Sequence, residues 1–443
     1  MSGWGGGLYT VQNKEIPGAY FKFESEPTTP NIFSDRGTVA VAVELDWGPE
    51  GKAVTLGRED FLRNSEALLG YAYTDSEMRL WRELFVGANK VILYRLGKGV
   101  KASNKFAEAV YPGTAGNAIA IAVEAVEGTA DVFNVLTYVK GQEADRQTVK
   151  TTDELKANKW VTFKKTALAA TESTLLTGGS NGTPTGTDQQ KALTAFEGYR
   201  FDVLLCASDD QSTKQLYMEW TKNAVRNTGL YHQLVVHAPE KADDEYIINV
   251  HNGVLDPGMP KHALAWYVAG IEAGCAVNKD LTAHGYLGEL DINTGELGQA
   301  KQKELKAQGK LVFINVDDLP TVFMDINSLH TFSPEKGEDF RYNQCMRVLN
   351  QRANDIQRLF TEYYLGKAGT DEDSRTMFKN DLVNNMTSGM IAIGAVKNYA
   401  PEDTVVELGV DPRSYHVKER VIPNMAVLYL YHDIYVAREG SAS

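Results

Sequence analysis

Residues 201–237 read FDVLLCASDDQSTKQLYMEWTKNAVRNTGLYHQLVVH. Phe201 to Ala207 is a continuous apolar run, the mark of a strand covered on both faces. Asp209-Asp210 then offers a turn or a helix cap, and Ser212 to Asn227 predicts a helix. Gln233 to His237 is a second buried strand. A helix between two such strands is a crossover unit, which places them parallel in one sheet. Working outward, the alternation continues through strands at Tyr246 to Val250 and Leu311 to Val316, with helices at Lys261 to Ala273 and Gln299 to Gln308. Upstream, Thr38 to Val43 and Val91 to Leu96 read as strands. Between them a helix capped by Asp75 carries Met78, Trp81, Leu84 and Phe85 and ends at Gly87. Residues 26–100 and 188–330 therefore read as one α/β domain that something interrupts.

The interruption is β-rich. Tyr111-Pro112-Gly113 is a turn, and Ala118 to Val123, Val132 to Val139 and Trp160 to Phe163 are strand-like, with weak helical periodicity. Residues 178–187, rich in glycine and threonine, lead back to the α/β pattern. From Glu338 a long helix runs to about Leu365 with Met346, Leu349, Ile356, Leu359 and Phe360 as its apolar stripe. A shorter helix covers Ser374 to Ser388, and strands follow at Val405 to Val410 and Tyr415 to Val421. The last expected strand, Ala426 to Val436, is apolar or aromatic on both faces and predicts cover on both sides. At the other end, Gly3, Gly5, Gly6 and Gly7 tether short strands at Leu8 to Val11 and Ala19 to Phe23, too little to form a stable sheet alone. The expected division is an N-terminal arm (1–25), the first part of the α/β domain (26–100), a β-rich insertion (101–180), the rest of the α/β domain (181–335) and an α+β C-terminal domain (336–443).

Composition narrows function. The 443 residues carry a formal net charge of -13, against a nucleic-acid or anionic-membrane binder. Three scattered cysteines, with Cys206 reading as a buried hydrophobe, fit a reducing compartment. Neither a signal peptide nor a membrane-spanning run is expected. Gly178-Gly179-Ser180-Asn181-Gly182 matches the nucleophile elbow of serine hydrolases. That motif needs a helix immediately after, and Thr183-Pro184-Thr185-Gly186 reads as loop. An acidic cytoplasmic hydrolase using Ser180 is nevertheless the alternative reading. His284-Gly285 stands without the nucleophile and aspartate contexts of a protease triad. Asp291-Ile292-Asn293-Thr294-Gly295 lacks the distal glutamate of a calcium loop and reads as a turn. His232, His237 and His251 lack ligand spacing and read as core or interface residues, so no cofactor or metal is expected.

Several landmarks together resemble the contractile phage tail sheath family. They are Ile16-Pro17-Gly18, Arg36-Gly37, Leu45-Asp46-Trp47-Gly48-Pro49, Tyr94-Arg95, Tyr111-Pro112-Gly113 with Gly116-Asn117, Leu176-Thr177-Gly178-Gly179, Asp325-Ile326-Asn327, Gly366-Lys367 and the closing aromatic segment. The resemblance implies a subtilisin-like middle domain, an inserted β-rich domain, a C-terminal domain nearest a tail tube, and extended terminal arms. It implies a structural, non-enzymatic subunit of a virion tail or phage-tail-like particle such as a bacteriocin. Such subunits assemble in the bacterial cytoplasm as stacked hexameric rings and contract by rigid-body rearrangement to drive the tube through an envelope. Expected partners are other copies, the tube protein, and baseplate and terminator proteins, with no nucleic acid and no membrane insertion. The arms would exchange strands between subunits through Leu8, Tyr9, Val11, Ala19, Phe21 and Phe23 at one end. At the other end the donors would be Leu428, Tyr429, Leu430, Tyr431, Ile434 and Val436. Arg375 and Lys379, four apart on the shorter C-terminal helix, share a face and are candidate tube contacts, with a solvated helix surface as the plain alternative.

Overall fold

The computed structural model describes residues 5–8, 18–21, 36–295 and 297–436. Strands β1 (Gly5–Leu8) and β2 (Gly18–Phe21) pair in parallel, Gly5 opposite Gly18 and Leu8 opposite Phe21, as a sheet of their own. Both strands begin before the expected bounds. Tyr9, Val11 and Phe23 lie outside the described residues.

The α/β body opens with β3 (Thr38–Glu44), β4 (Ala53–Gly57), helices α1 (Arg58–Leu69) and α2 (Arg79–Phe85), and β5 (Lys90–Leu96). Helix α1 escapes a sequence reading because five of its twelve residues are charged and it buries only Phe61, Ser65 and Leu69, one residue per turn. Asp75 is not the expected cap of α2. Its carboxylate accepts from Ala72 N at 3.0 Å, and a short 3-10 turn, Ser76–Met78, leads into the helix.

The insertion supplies β6 (Ala107–Ala109), β7 (Ile119–Ala125), β8 (Phe133–Val139), β9 (Gln142–Val149), β10 (Val161–Phe163) and β11 (Thr171–Leu175). An antiparallel sheet, β11-β7-β8-β9, packs on the β6–β10 pair across Ile119, Ile121, Val123, Val135, Trp160 and Val161. This is a β-sandwich.

The body resumes with α3 (Gly186–Phe196), β12 (Val203–Cys206), α4 (Gln211–Asn223), β13 (Gln233–His237), β14 (Ile247–Val250), α5 (Ala263–Gly274), α6 (Gln299–Ala307), β15 (Lys310–Leu311), β16 (Phe313–Val316) and β17 (Leu319–Val322). The main sheet has seven strands in the order β15-β14-β13-β12-β3-β5-β4, parallel except for edge strand β4. Helices α1, α2 and α5 cover one face and α3 and α4 the other. Helix α5, ALAWYVAGIEAG, is apolar all round and buried from Ala263 through Ala273. It crosses the end of α2 at backbone contact: a Cβ on Gly270 would stand 2.1 Å from Leu84 O, and one on Gly87 2.3 Å from Gly270 O. The expected strand Leu311 to Val316 is broken. Leu311 ends the main sheet, and β16 turns off to pair with β17 across Asp317-Asp318, both at positive φ as a two-residue hairpin turn requires.

The C-terminal unit comprises α7 (Asn343–Leu359), α8 (Glu372–Asn385) and the hairpin β18 (Thr404–Leu408) with β19 (Tyr415–Glu419). It is joined to the body by an ionic cluster with no exposure. Arg347 of α7 donates to Glu272 of α5 at 2.5 Å, to Asp325 at 2.6 Å and to Lys279 O at 2.8 Å. Asn343 adds bonds to both carboxylates and accepts one from Gln233. Among the described residues no helix is long and apolar enough to cross a membrane.

Candidate functional site

The closing segment is held at its base and free beyond it. Lys397 N donates to Ile422 O at 3.0 Å, and Asn424 is tied to Ala395 O and Gly394 O. Gln344, buried on α7, grips the chain twice: Nε2 donates to Asn424 O (3.1 Å) and Oε1 accepts from Ala426 N (2.9 Å). From Val427 onward the chain has no regular secondary structure through Val436. The expected strand over Ala426 to Val436, covered on both sides, is therefore corrected. Leu428 is half-buried and Tyr429 accepts a bond from Lys306 Nζ at 3.4 Å. Val427, Leu430, Tyr431, Ile434, Tyr435 and Val436 are 76% to 91% exposed. The reason is physical. The two-sided apolar pattern demands two covering layers, and among the described residues no sheet or layer is in place to supply either. Fully burying such side chains is worth ~1.5–3 kcal/mol each, so the exposed segment carries on the order of 10 kcal/mol of unrealised burial. Ordering its backbone would cost about 1–2 kcal/mol per residue in return.

At the N-terminus, Leu8, Ala19 and Phe21 fall within β1 and β2. No third strand joins that pair among the described residues. A two-stranded sheet is marginal alone, and parallel strands ordinarily lie buried in larger sheets. The β18–β19 hairpin is another two-stranded sheet, with both outer edges unpaired among the described residues, and Val405, Leu408 and Val410 on it are exposed.

Arg375 and Lys379 do lie one turn apart on α8, both half-buried. Arg375 donates to Thr370 O, inside the helix's own N-terminal turn.

The glycine-rich segment around Ser180 is a joint. Ser180 pairs through its backbone with Val100, N to O at 3.1 Å and O to N at 2.9 Å, and no helix starts before Gly186. It lacks the strand-to-helix turn of a nucleophile elbow. Around it the landmark residues converge. Trp47, 1% exposed, packs edge-on to Tyr111 at 5.4 Å and beside Trp160 at 5.6 Å, and donates to Ala67 O. Buried Arg95 donates to Gly48 O (2.8 Å) and Pro112 O (2.7 Å). Asn117 and Gly179 exchange two bonds of 3.0 and 2.8 Å. Gly113, at φ 127°, passes so close that a Cβ would stand 1.9 Å from Asp46 O. These residues fix the sandwich to the body. The sequence shows them as scattered landmarks; only the fold brings them together.

The histidines are structural in their surroundings. His232 is fully buried between Phe201 and Trp220, with Nδ1 2.8 Å from Leu230 O, and burial pushes it down to about 4. Burial, reinforced by the nearby Lys214, also holds His237 down at about 4. Among the described residues, no three His, Cys, Asp or Glu side chains come together as a metal site. Cys206, Cys275 and Cys345 are buried and free, and burial raises each thiol to about 12.

Comparison with known proteins covers the described body end to end. Residues 36–96 match the tail sheath protein Gp18 domain III N-terminal region, and residues 97–181 the phage tail sheath protein beta-sandwich domain. Residues 182–328 match the phage tail sheath protein central domain and 335–437 the phage tail sheath C-terminal domain. The phage-like element PBSX protein XkdK of Bacillus subtilis is 32% identical, over 98% of this chain and 99% of that one. A crystal structure of a sheath tail protein from Desulfitobacterium hafniense superposes with a TM-score of 0.78 at 30% identity, covering 92% of this chain and 100% of that one. The fold alone extends to the helical sheath of the anti-feeding prophage in its contracted state, at TM-score 0.52 and 11% identity over 95% of this chain and 99% of that one. A joint where a nucleophile was the alternative, an apolar closing segment left exposed, and matches running from residue 36 to residue 437 lead to one conclusion: the chain belongs to the phage tail sheath protein family.

Proposed function

We propose that the protein polymerises as stacked hexameric rings around a tail tube, linked by strands its terminal arms donate to neighbouring copies, and that it contracts by rigid-body rearrangement. The observation that carries this reading is the exposed, apolar Val427 to Val436 segment on a base clamped by Gln344. A segment with two apolar faces and no cover among the described residues is built to be covered by another chain. The unpaired edges of β18–β19 and of β1–β2 are the receptors this reading favours. Each added strand–strand bond contributes ~0.5–1.5 kcal/mol net, so a handful per joint gives a few kcal/mol. A donated strand is a heterologous contact, which propagates instead of closing on itself.

In this reading the units keep the divisions expected from sequence, with arms at 1–25 and beyond Ala426. The subtilisin-like description of the middle domain draws support from its parallel sheet and its buried helix α5. The particle is a phage tail or a tail-like bacteriocin assembled in the host cytoplasm, with tube, baseplate and terminator proteins as partners. Arg375 and Lys379 are proposed as tube contacts, because exposed ion pairs of ~0–1 kcal/mol each are weak enough to release on contraction. The test is a chain ended after Ala426. It should fold, melt as the full chain does and remain monomeric under conditions where the full chain forms tubes by negative-stain microscopy. Normal tubes from the shortened chain would refute strand donation by this arm.

A further inference from the structure

The β-sandwich carries unlike charge on its two outer faces. Flanking the β6–β10 pair, Lys101, Lys105, Lys159 and Lys164 are exposed, Lys105 Nζ lying over the Phe106 ring at 4.5 Å and Lys164 Nζ donating to Asn104 O at 2.9 Å, with half-buried Glu108 on β6 among them. On the opposite face, the strand register turns Ala120, Ala122 and Glu124 of β7, Tyr138 of β8 and Leu175 of β11 outward. These residues line an open trough of about 780 Å³, with Glu124 and Glu172 at its margins. Arg146 is the base on this face, and Glu143 at 2.8 Å and Glu124 at 3.6 Å share it. Leu175 stands 56% exposed beside the trough. Among the described residues, none fills the trough.

We infer that the sandwiches of neighbouring copies stack face to back in the assembled sheath, the β6–β10 lysines of one copy entering the alanine-floored trough of the next. This rests on the assembly reading above and adds a contact that the arms do not make. Charge and shape select the occupant together. A lysine side chain has an apolar stem and a charged head, so it lays methylenes on an apolar floor and presents its ammonium to acids at the rim. Two different faces of one domain meet, so the contact is heterologous and repeats along a helix without closing. Exposed pairs are individually weak, and several in register set orientation more than affinity.

The experiment reverses each face separately. Lys105→Glu/Lys159→Glu and Glu124→Lys/Glu172→Lys are made in the full chain, together with the combined fourfold variant. Each double variant should melt as wild type does and raise the critical concentration for polymerisation about tenfold, from two pairs turned repulsive. The fourfold variant, whose faces are again complementary, should return to within about threefold of wild type. Double variants that polymerise like a polymerising wild type overturn the contact and leave the arms intact. A fourfold variant that melts normally but polymerises no better than the doubles overturns the pairing. Loss of heparin binding in the lysine variant, with polymerisation unchanged, would mean that this face serves an anionic polymer, and would also overturn it. A wild-type chain that never polymerises removes the assembly reading and this contact with it.

Discussion

Replacing Arg347 with Met should separate the C-terminal unit energetically from the body. Arg347, Glu272 and Asp325 are all 0–1% exposed. Burial pushes Glu272 well up, and the neighbouring Asp325 adds to that more than Arg347 offsets. For Asp325, burial also pushes upward, but Arg347 and the bonds it receives hold it below the usual carboxylate range. The two carboxyls are therefore driven apart, Glu272 upward toward its protonated form and Asp325 downward toward its ionised form. Removing the cation leaves Asp325 buried without its counter-charge, a loss of about 3–5 kcal/mol. In a chain of this size that lowers the melting temperature by about 3–5 °C. The pH dependence has a definite sign. In the wild type, the stability Asp325 contributes is present above its unfolded pKa and is lost as pH falls through the depressed folded value. In the variant the Arg347 charge is gone and only the bonds from Leu281 N, Asn343 and Glu272 oppose burial, so both carboxyls rise relative to wild type and bind protons more tightly in the folded state. Their cost then grows as pH rises above the unfolded carboxylate range, and the deficit against wild type should be larger at pH 8 than at pH 5. Calorimetry on the full chain at both values reads this out. A variant melting within 2 °C of wild type at pH 8, or a deficit independent of pH, would refute the argument.

Glu272→Gln, which keeps the shape and neutrality of the protonated acid, should melt close to wild type and gain on it as pH rises; a loss as large as that of the Met variant would contradict a protonated Glu272. Deleting residues 1–23 should leave a folded monomer that does not polymerise, by sedimentation velocity; unchanged polymers would exclude the N-terminal arm as a link. Ser180→Ala should change neither assembly nor melting, and ester turnover that vanished in it would restore the hydrolase reading. Arg375→Glu/Lys379→Glu should weaken attachment of sheath to isolated tubes while sheath-only polymers form normally; full attachment at raised salt would place the tube contact elsewhere.

The α/β body is legible in sequence because parallel strands covered on both faces are written as unbroken apolar runs. Thr38 to Val43 and Val203 to Cys206 are such runs, and both are buried throughout. Strand β9, QEADRQTV, is invisible to the same rule. It lies at a sheet edge with most of its side chains in water, so its pairing with β8, and not its composition, makes it a strand. The joint is legible only in pieces. Trp47, Arg95, Gly113, Asn117 and Gly179 span 133 positions of chain, from 47 to 179, and nothing local says that they meet.

The Ala426 to Val436 segment failed as a prediction of core for a reason that bears on function. Apolar periodicity reports that a strand is covered; it says nothing about whose chain does the covering. In an enzyme the two coincide, and sequence landmarks gather at a cleft. Here the landmarks gather at places that prevent movement. Trp47, Arg95 and Gly113 lock the sandwich to the body. Asp325 joins the buried cluster on Arg347, while Asn327 donates to Phe340 O at 2.8 Å and so ties the chain entering the C-terminal unit. On the function proposed above, a subunit that transmits force through strands donated at its ends would need that distribution. Stiffness would belong inside, where any compliance would dissipate the motion of its neighbours, and unsatisfied apolar surface would belong on the Val427 to Val436 segment, where another copy would supply the cover.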